Sequence, residues 1–293
     1  MCCLFGIYDY GHSLTAAQKK RLVSALAVAS EDRGTDATGI AYNRNGHLTV
    51  YKRPYPAHLM RFRLPDDAVC IMGHTRMTTQ GDEKHNYNNH PFEGTAGIPF
   101  ALAHNGVLWN DRGLRHTKHL PKTKIQTDSY VAVQLLEQQK ALDFDSLAKM
   151  AEQVEGSFSF AVLDEQDALW IVKGDSPLSI AYFPECGVYV YASTVEILNK
   201  ALTRCGKQLG HRRTVEVEMG DLLKIDRRGH ITRATFDASK LCRPSWEYWS
   251  SSLYAEPPKT ESEIPATLYQ ATRKIRYSRS QSAGLSTLMK MEI

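Results

Sequence analysis

The sequence predicts an α+β fold in which antiparallel sheet is covered by helices. Short runs of apolar and β-branched residues recur along the chain, as at residues 3–8 and 157–163. Asn45-Gly46 separates two such runs, which is typical of a two-residue β-hairpin. Apolar residues at helical spacing occur in separate stretches, as at residues 15–30. Strands in runs with helices in pairs indicate sheet with helices packed outside it.

The individual elements follow from the same patterns, taken in chain order. A buried strand at 3–8 and a helix at 15–30 precede the Asn45-Gly46 hairpin. Further strands are predicted at 69–75, 100–104, 157–163, 168–173, 179–183 and 187–191. Helices are predicted from Asp128 with Thr127 as its cap, over 145–154, and from a Ser193 cap to Arg204. A last hairpin is predicted through 215–217, 222–225 and 231–233, turning near Gly220 and Gly229.

Composition describes an ordinary globular chain. The 293 residues are 42% hydrophobic and 23% charged, which is enough apolar material for a full core. The net charge of +4 is too small to indicate a nucleic-acid partner. The cysteines show no CxxC pair and no regular spacing, which argues against a zinc site or a disulfide framework. No stretch resembles a leader peptide or a membrane span, so we expect a cytoplasmic protein without a membrane partner.

The composition changes near the C-terminus. We expect a domain at 2–241 followed by an extension at 242–293 that is rich in proline and serine. Residues 271–290 carry several Lys and Arg residues and no acid. Two interpretations of the extension stay open: a solvated, partly disordered tail, or a segment that docks a partner or nucleic acid.

Cys2 carries the most chemistry of any single position. Removal of Met1 leaves a thiol and a free α-amine on this residue. An α-amine titrates near pH ~8, so it can accept a proton at neutral pH. A thiol with its own base is a complete nucleophilic unit. Taken alone, however, Cys2 is more typical of a small buried apolar residue.

Five downstream segments change that interpretation. They are RGTDATG at 33–39, GHTRMTTQG at 73–81, NNHPF at 88–92, AHNGVLWN at 103–110 and TDS at 127–129. With Cys2, and in this order, they resemble the class II glutamine amidotransferases, whose glutaminase domain is an N-terminal-nucleophile hydrolase. The resemblance covers roughly residues 2–235. It implies a four-layer αββα sandwich.

The resemblance also implies a role for each matching residue. Cys2 is the nucleophile, and the Asn105 side chain with the Gly106 N–H forms the oxyanion hole. The substrate-binding residues are Arg76 for the α-carboxylate, Asp128 for the ammonium and Thr79 as a further contact; Arg33, Asp36 and His104 are supporting residues. The chemistry fits, because a guanidinium can bind a carboxylate through two hydrogen bonds. The family implies no metal in this domain, and we expect no cofactor.

Alternatives exist for several of these residues. Asn105-Gly106 is also a plain hairpin-turn pair, Arg76 a surface strand arginine, and Asp128 a helix cap. His74, His85, His90 and His104 invite a metal interpretation, but their spacing matches no recognised ligand set.

The chain departs from the family at three positions. Cys3 stands where many members have Gly, and strand alternation predicts that its side chain points away from Cys2. Met77 and Gln80 stand where the synthase members have Trp and His. These positions shape the pocket mouth, so the departure concerns loop closure and glutamine preference.

These observations predict hydrolysis of L-glutamine to glutamate and ammonia through a Cys2 γ-glutamyl thioester. A separate synthetase or acceptor subunit would then receive the ammonia. Three alternatives stay open. The chain could hydrolyse other γ-glutamyl amides or peptides, act as an N-terminal-nucleophile protease or acylase, or bind glutamine as a catalytically silent module.

Overall fold

The structure is a computed structural model that describes residues 2–205 and 209–242. The strands are β1 Cys3–Asp9, β2 Ala37–Arg44, β3 His47–Arg53, β4 Cys70–Arg76, β5 Phe92–Thr95, β6 Pro99–Leu108, β7 Gly156–Asp164, β8 Leu169–Lys173, β9 Ser179–Phe183, β10 Val188–Ala192, β11 Arg213–Val215, β12 Asp221–Ile225 and β13 Ile231–Thr235. The helices are α1 Ala16–Ala29, α2 Asp111–Thr117, α3 Tyr130–Gln139, α4 Phe144–Gln153 and α5 Val195–Cys205. The extension predicted at 242–293 lies, apart from Cys242, outside the described residues.

The strands form two antiparallel sheets. In the first sheet the strand order is β11-β9-β10-β1-β4-β2-β3, so the N-terminal strand β1 lies at its centre between β10 and β4. In the second sheet the order is β13-β12-β8-β7-β6-β5, and the long strand β6 pairs with β7 along nearly its whole length. The site segments predicted on β1, β4 and β6 therefore lie in the middle of their sheets or next to it.

Three apolar clusters separate the layers of the molecule. One lies between α1, α5 and the first sheet, and includes Phe5 and Leu26. A second lies between the two sheets and includes Leu4 and Ala103. The third lies between the second sheet and the helices α3 and α4. Helix, sheet, sheet and helix follow one another, which confirms the predicted four-layer αββα sandwich.

The side chains of β1 alternate between two of these clusters. Cys3, Phe5 and Ile7 pack under the helices, whereas Leu4 and Tyr8 pack between the sheets. This alternation is the ordinary consequence of strand geometry. The alternation confirms that the Cys3 side chain packs in the core under the helices and points away from Cys2.

The Thr127 cap prediction is wrong. Helix α3 begins at Tyr130, two residues after Asp128, and the cap position is Ser129, which makes no side-chain capping bond. Thr127 Oγ1 instead donates to the Asn88 carbonyl at 2.7 Å. A hydroxyl that finds a buried tertiary acceptor is no longer available to a helix terminus.

The cap of α5 lies one residue later than predicted. Thr194 Oγ1 accepts the Ile197 N–H at 3.3 Å, while Ser193 Oγ accepts the Leu4 N–H of β1 at 2.8 Å. Ser193 therefore ties β1 to the end of β10, and the adjacent Thr194 takes the capping position.

The C-terminal strands differ from the predicted hairpin. β12 and β13 pair as expected, but β11 pairs with β9 in the first sheet. The structure also contains two elements that the sequence patterns did not predict, β5 and α2. The remaining strands and helices lie within a few residues of their predicted bounds.

Candidate active site

Arg33 joins the predicted nucleophile to the predicted oxyanion residue. Its Nε donates to the Cys2 carbonyl at 2.8 Å, and its Nη2 donates to Asn105 Oδ1 at 3.4 Å. Cys2 directly precedes β1 of the first sheet, and Asn105 lies on β6 of the second. One planar guanidinium therefore holds the two residues on facing sheets next to each other.

The Cys2 thiol lies in a nearly closed environment. The residue is 8% exposed, and Sγ donates to the Met77 carbonyl at 3.6 Å. Burial raises the pKa of the thiol, and Asp128 raises it further, while the Met77 contact and Arg76 act in the opposite direction. The thiol therefore stays protonated at neutral pH, so the nucleophile needs a base.

Arg76 lies at the end of β4 and is only 2% exposed, so the alternative of a surface arginine is wrong. Its guanidinium donates to Asn89 Oδ1 at 2.5 Å and to the carbonyls of Gln80 and Gly81 at 2.6 and 2.9 Å. These acceptors are neutral. The positive charge is thus solvated by dipoles but not cancelled by them, which suits it to bind an incoming carboxylate.

Asp128 supplies the opposite charge. It is 2% exposed, and its Oδ2 accepts the Leu108 N–H at 2.6 Å. Burial raises the pKa of this carboxyl, while that hydrogen bond and the nearby Arg76 lower it. The carboxylate is bonded to β6 and not placed as the cap of α3. Arg76 and Asp128 both shift the pKa of the Cys2 thiol, so both charges lie near the predicted nucleophile.

Asn105 and Gly106 are strand residues, so the alternative of a plain turn is wrong. They pair with Ser159 and Phe158 in the middle of the β6–β7 ladder. Gly106 has a φ of +145°, and a Cβ there would lie 1.8 Å from the Ser157 carbonyl. Asn105 Nδ2 makes only a long contact of 3.5 Å with the Pro177 carbonyl. Such a contact is weak, and Nδ2 can exchange it for a better acceptor.

The other predicted residues take supporting positions. Asp36 Oδ2 accepts the Thr78 N–H at 2.6 Å, and its own N–H donates to the Arg76 carbonyl at 3.0 Å, so it fixes the turn after β4. Thr79 is exposed on the same loop. Cys3 Sγ lies 3.2 Å from Ser30 Oγ, on the helical side of the sheet.

His104 belongs to a buried group of histidines behind the site. Its Nδ1 lies 2.7 Å from Ser129 Oγ and its carbonyl accepts His74 Nε2 at 2.9 Å. The His74 and His90 rings lie 4.2 Å apart. Burial lowers the pKa of His74 and of His104 to about 3 and lowers that of His90 well below its usual value. All three rings are therefore neutral at physiological pH.

Several residues at the site have no predicted role. Asn89 accepts from Arg76, and Lys52 Nζ donates to the Asn89 and Pro91 carbonyls, both at 2.7 Å. Burial lowers the pKa of Lys52 to about 8. The position of Lys52 could have been found from the sequence, because a two-residue hairpin turn at Asn45-Gly46 pairs Lys52 with Gly39. A further contact that the sequence did not predict joins Gln80 Nε2 to Asp111 Oδ2 at 3.2 Å.

The described residues 2–205 and 209–242 contain no group of three or more His, Cys, Asp or Glu side chains arranged to hold a metal ion. No helix within those ranges is long and apolar enough to cross a membrane.

Sequence comparison relates the chain to known proteins. Residues 74–200 match a family model described as glutamine amidotransferase domain. Glutamine–fructose-6-phosphate aminotransferase (isomerizing) of Staphylococcus epidermidis is 29% identical over 250 residues, which cover 81% of this chain and 39% of the relative. The protein of the same name in Staphylococcus aureus is 31% identical over 189 residues, 61% of this chain and 30% of the relative. The chain spans well under half of the length of these relatives.

A solved structure has a similar fold. The B. subtilis glutamine phosphoribosylpyrophosphate amidotransferase, complexed with ADP and GMP, superposes with a TM-score of 0.62 and 20% identity. The match covers 80% of this chain and 49% of that chain, and at this identity it concerns the fold. The αββα sandwich, the matching segment at 74–200 and these relatives together make the chain similar to the class II glutamine amidotransferases, in sequence over that segment and in fold over the described domain.

Proposed function

We propose that the chain hydrolyses the side-chain amide of L-glutamine, with Cys2 as nucleophile. The observation that carries the proposal is the Arg33 guanidinium, which bonds both the Cys2 carbonyl and Asn105 Oδ1. These two bonds link the residues to which the proposal gives the roles of nucleophile and oxyanion donor, and they leave Asn105 Nδ2 to act as that donor. The names of the relatives, which include glutamine, support the choice of substrate.

The reaction begins after removal of Met1 exposes the α-amine of Cys2. This amine takes the thiol proton, which is needed because burial keeps the pKa of the thiol high. Sγ then attacks the amide carbon, and the oxyanion accepts hydrogen bonds from Asn105 Nδ2 and the Gly106 N–H. The α-ammonium returns a proton to the leaving nitrogen. Ammonia departs and a γ-glutamyl thioester remains on Cys2.

Water completes the cycle. The α-amine accepts a proton from the water that attacks the thioester carbon, and the same two donors stabilise the second oxyanion. Collapse of this intermediate breaks the C–S bond, returns the proton to the thiolate and releases glutamate. Each turnover consumes one water and one glutamine.

Arg76 and Asp128 select the substrate in this proposal. The guanidinium binds the α-carboxylate and the carboxylate binds the α-ammonium, with Thr79 as a further contact from the loop. Removing one partner of a buried charge pair costs ~2–5 kcal/mol, or roughly 30- to several-thousand-fold in kcat/KM. Arg76→Ala and Asp128→Asn are therefore expected to lose glutamine turnover to this extent. Parental kcat/KM in both folded variants would favour the alternative of other γ-glutamyl amides or peptides.

The decisive experiment measures ammonia release from L-glutamine by two preparations of the purified protein. One has Cys2 as its first residue, confirmed by intact mass, and the other retains a residue ahead of Cys2. Only the first is expected to be active, because an amide nitrogen cannot accept the thiol proton. Full activity of the extended protein excludes this mechanism, and binding of glutamine without turnover by the mature protein supports the silent module. A separate acceptor subunit for the ammonia stays a prediction.

A further inference from the structure

Gln80 lies on the loop after Arg76, between the two residues proposed to bind the substrate charges. Its carbonyl accepts Arg76 Nη2 at 2.6 Å. Its side chain extends the other way, where Nε2 donates to the Gln126 carbonyl at 2.8 Å and to Asp111 Oδ2 at 3.2 Å. Gln80 therefore connects the Arg76 guanidinium to the segment that leads into Asp128.

Asp111 anchors one end of this connection. It is the first residue of α2, is 5% exposed, and its Oδ2 lies 3.9 Å from Arg115 Nε. Arg115 in turn donates to the Thr127 carbonyl at 3.3 Å. A buried carboxylate oxygen needs donors, and the Gln80 amide is one of them. The anchor is therefore itself tied to the segment before Asp128.

Asn88 holds the same segment from the far end of the loop. It is fully buried, and its Oδ1 accepts the Gln126 N–H at 2.9 Å. Its Nδ2 donates to the Asp82 carbonyl at 3.0 Å and lies 3.2 Å from Gln126 Oε1. Gln80 and Asn88 therefore fix Gln126 from both ends of the loop, and with it the start of the segment that carries Asp128.

We propose that Gln80, anchored by Asp111, is a positioning residue that fixes the Arg76 guanidinium at a set distance from Asp128 before substrate binds. The proposal rests on the charge-binding roles proposed above. A free α-amino acid presents its carboxylate and ammonium at a fixed separation, so the site must hold its counter-charges at a matching one. Since two acceptors of Arg76 are carbonyls of this loop, the position of the loop sets that of the guanidinium.

A consequence concerns substrate class. With Gln80 in place, the site selects γ-amides whose α-carboxylate is free. The Gln80 contacts should matter little for a substrate whose α-carboxylate is blocked, because such a substrate makes no ion pair with Arg76. The α-methyl ester of L-glutamine is a suitable probe, since its ammonia can come only from the γ-amide.

The test compares Gln80→Ala, Asp111→Ala and the double variant with the parent, all with Cys2 as first residue. Gln138→Ala is the matched control, because Gln138 Nε2 also donates to a backbone carbonyl, that of Lys118 at 2.8 Å, on an exposed helix face. Gln80→Ala and Asp111→Ala are expected to raise the KM for glutamine roughly tenfold and to change kcat less than about threefold. For the methyl ester, kcat/KM should change less than about threefold.

Two further outcomes separate positioning from general damage. The losses in the double variant should be clearly less than additive, because both single variants remove the Gln80–Asp111 contact. Asp111→Asn should recover most of the affinity, since its amide oxygen still accepts from Gln80. Parental KM in Gln80→Ala, equal losses for glutamine and the ester, or additive losses in the double variant each overturn the proposal.

A second measurement does not depend on turnover. Hydrogen exchange of the amides at 77–82, without substrate, should be faster in Gln80→Ala and Asp111→Ala than in the parent and in Gln138→Ala. If the parent releases no ammonia from glutamine, the proposed function is wrong. Hydrogen exchange then still tests whether Gln80 fixes the loop at 77–82. Unchanged exchange in both variants overturns the positioning role.

Discussion

At the residue scale, strand alternation separates the two adjacent thiols. Cys2 Sγ reaches the Met77 carbonyl, whereas Cys3 Sγ reaches Ser30 in the core under α1. Cys2→Ala is expected to abolish ammonia release, because it removes the nucleophile. Cys3→Ser should keep most activity and lose some stability, because a hydroxyl is more costly to bury than a thiol. Ammonia assays and thermal unfolding of both variants check this; a folded but inactive Cys3→Ser would mean that the thiols are assigned wrongly.

The backbone conformation and close packing of Gly106 lead to a second prediction at this scale. A Cβ there would lie 1.8 Å from the Ser157 carbonyl, at a φ of +145°. Gly106→Ala is therefore expected to cost more than ~3 kcal/mol of unfolding free energy, because the β6–β7 ladder must open around the clash. Gly46→Ala is the control: Gly46 also has a positive φ, of +76°, but no atom of the described residues would lie within 4 Å of a Cβ there. Its cost should be near ~1 kcal/mol. Equal costs in urea unfolding would show that backbone strain, and not the close approach, explains the glycine at Gly106.

At the element scale, β4 and β6 each bring a histidine into the interior, and His90 joins them just before β5. His74 and His104 have a pKa near 3 in the folded protein, against 6.5 for an ordinary histidine. The unfolded chain therefore binds protons below pH 6.5 that the folded chain does not. The free energy of unfolding should therefore decrease as the pH falls below 6.5, by ~1.4 kcal/mol per histidine for each pH unit. Raised carboxyl pKa values, as at Asp128, act in the opposite direction nearer their own titration.

Urea unfolding at pH 7 and pH 5.5 measures this slope. His90→Phe provides the sharpest comparison, because neither ring nitrogen of His90 has a hydrogen-bond partner among the described residues. Since burial lowers the pKa of His90 as well, this variant should retain the fold and lose about one histidine's share of the pH dependence. An unchanged slope would mean that the buried histidines do not control acid stability.

At the scale of the whole molecule, all candidate catalytic and substrate-binding residues lie before residue 130. Deleting residues 250–293 is therefore expected to leave glutamine turnover within about threefold of the parent, since the reaction loses none of its binding groups. Ammonia release and gel filtration of the truncated protein check this. A folded truncation without activity would place part of the site in the extension, and loss of solubility would indicate that the extension packs on the domain.

Much of the fold and the site follows from the sequence because it is encoded locally. Strand alternation at β1, the Asn45-Gly46 hairpin and the helical spacing of α1 each depend on residues a few positions apart. The position of Cys2 behind Met1 and the order of the five segments likewise needed no tertiary information. The local patterns predicted the α+β class, and the resemblance carried by Cys2 and the five segments implied the αββα sandwich and the residues on which the proposed chemistry rests.

The tertiary structure alone decided which partner each short polar side chain takes. Thr127 bonds Asn88 instead of capping a helix, and Gln80 reaches Asp111 across 31 residues of chain. β11 pairs with β9 and not with the strands of the predicted C-terminal hairpin. The reason is the same in each case: a hydroxyl, an amide or an edge strand has several acceptable local partners of similar energy. Packing of distant segments decides which of them is within 3 Å or so when the core closes.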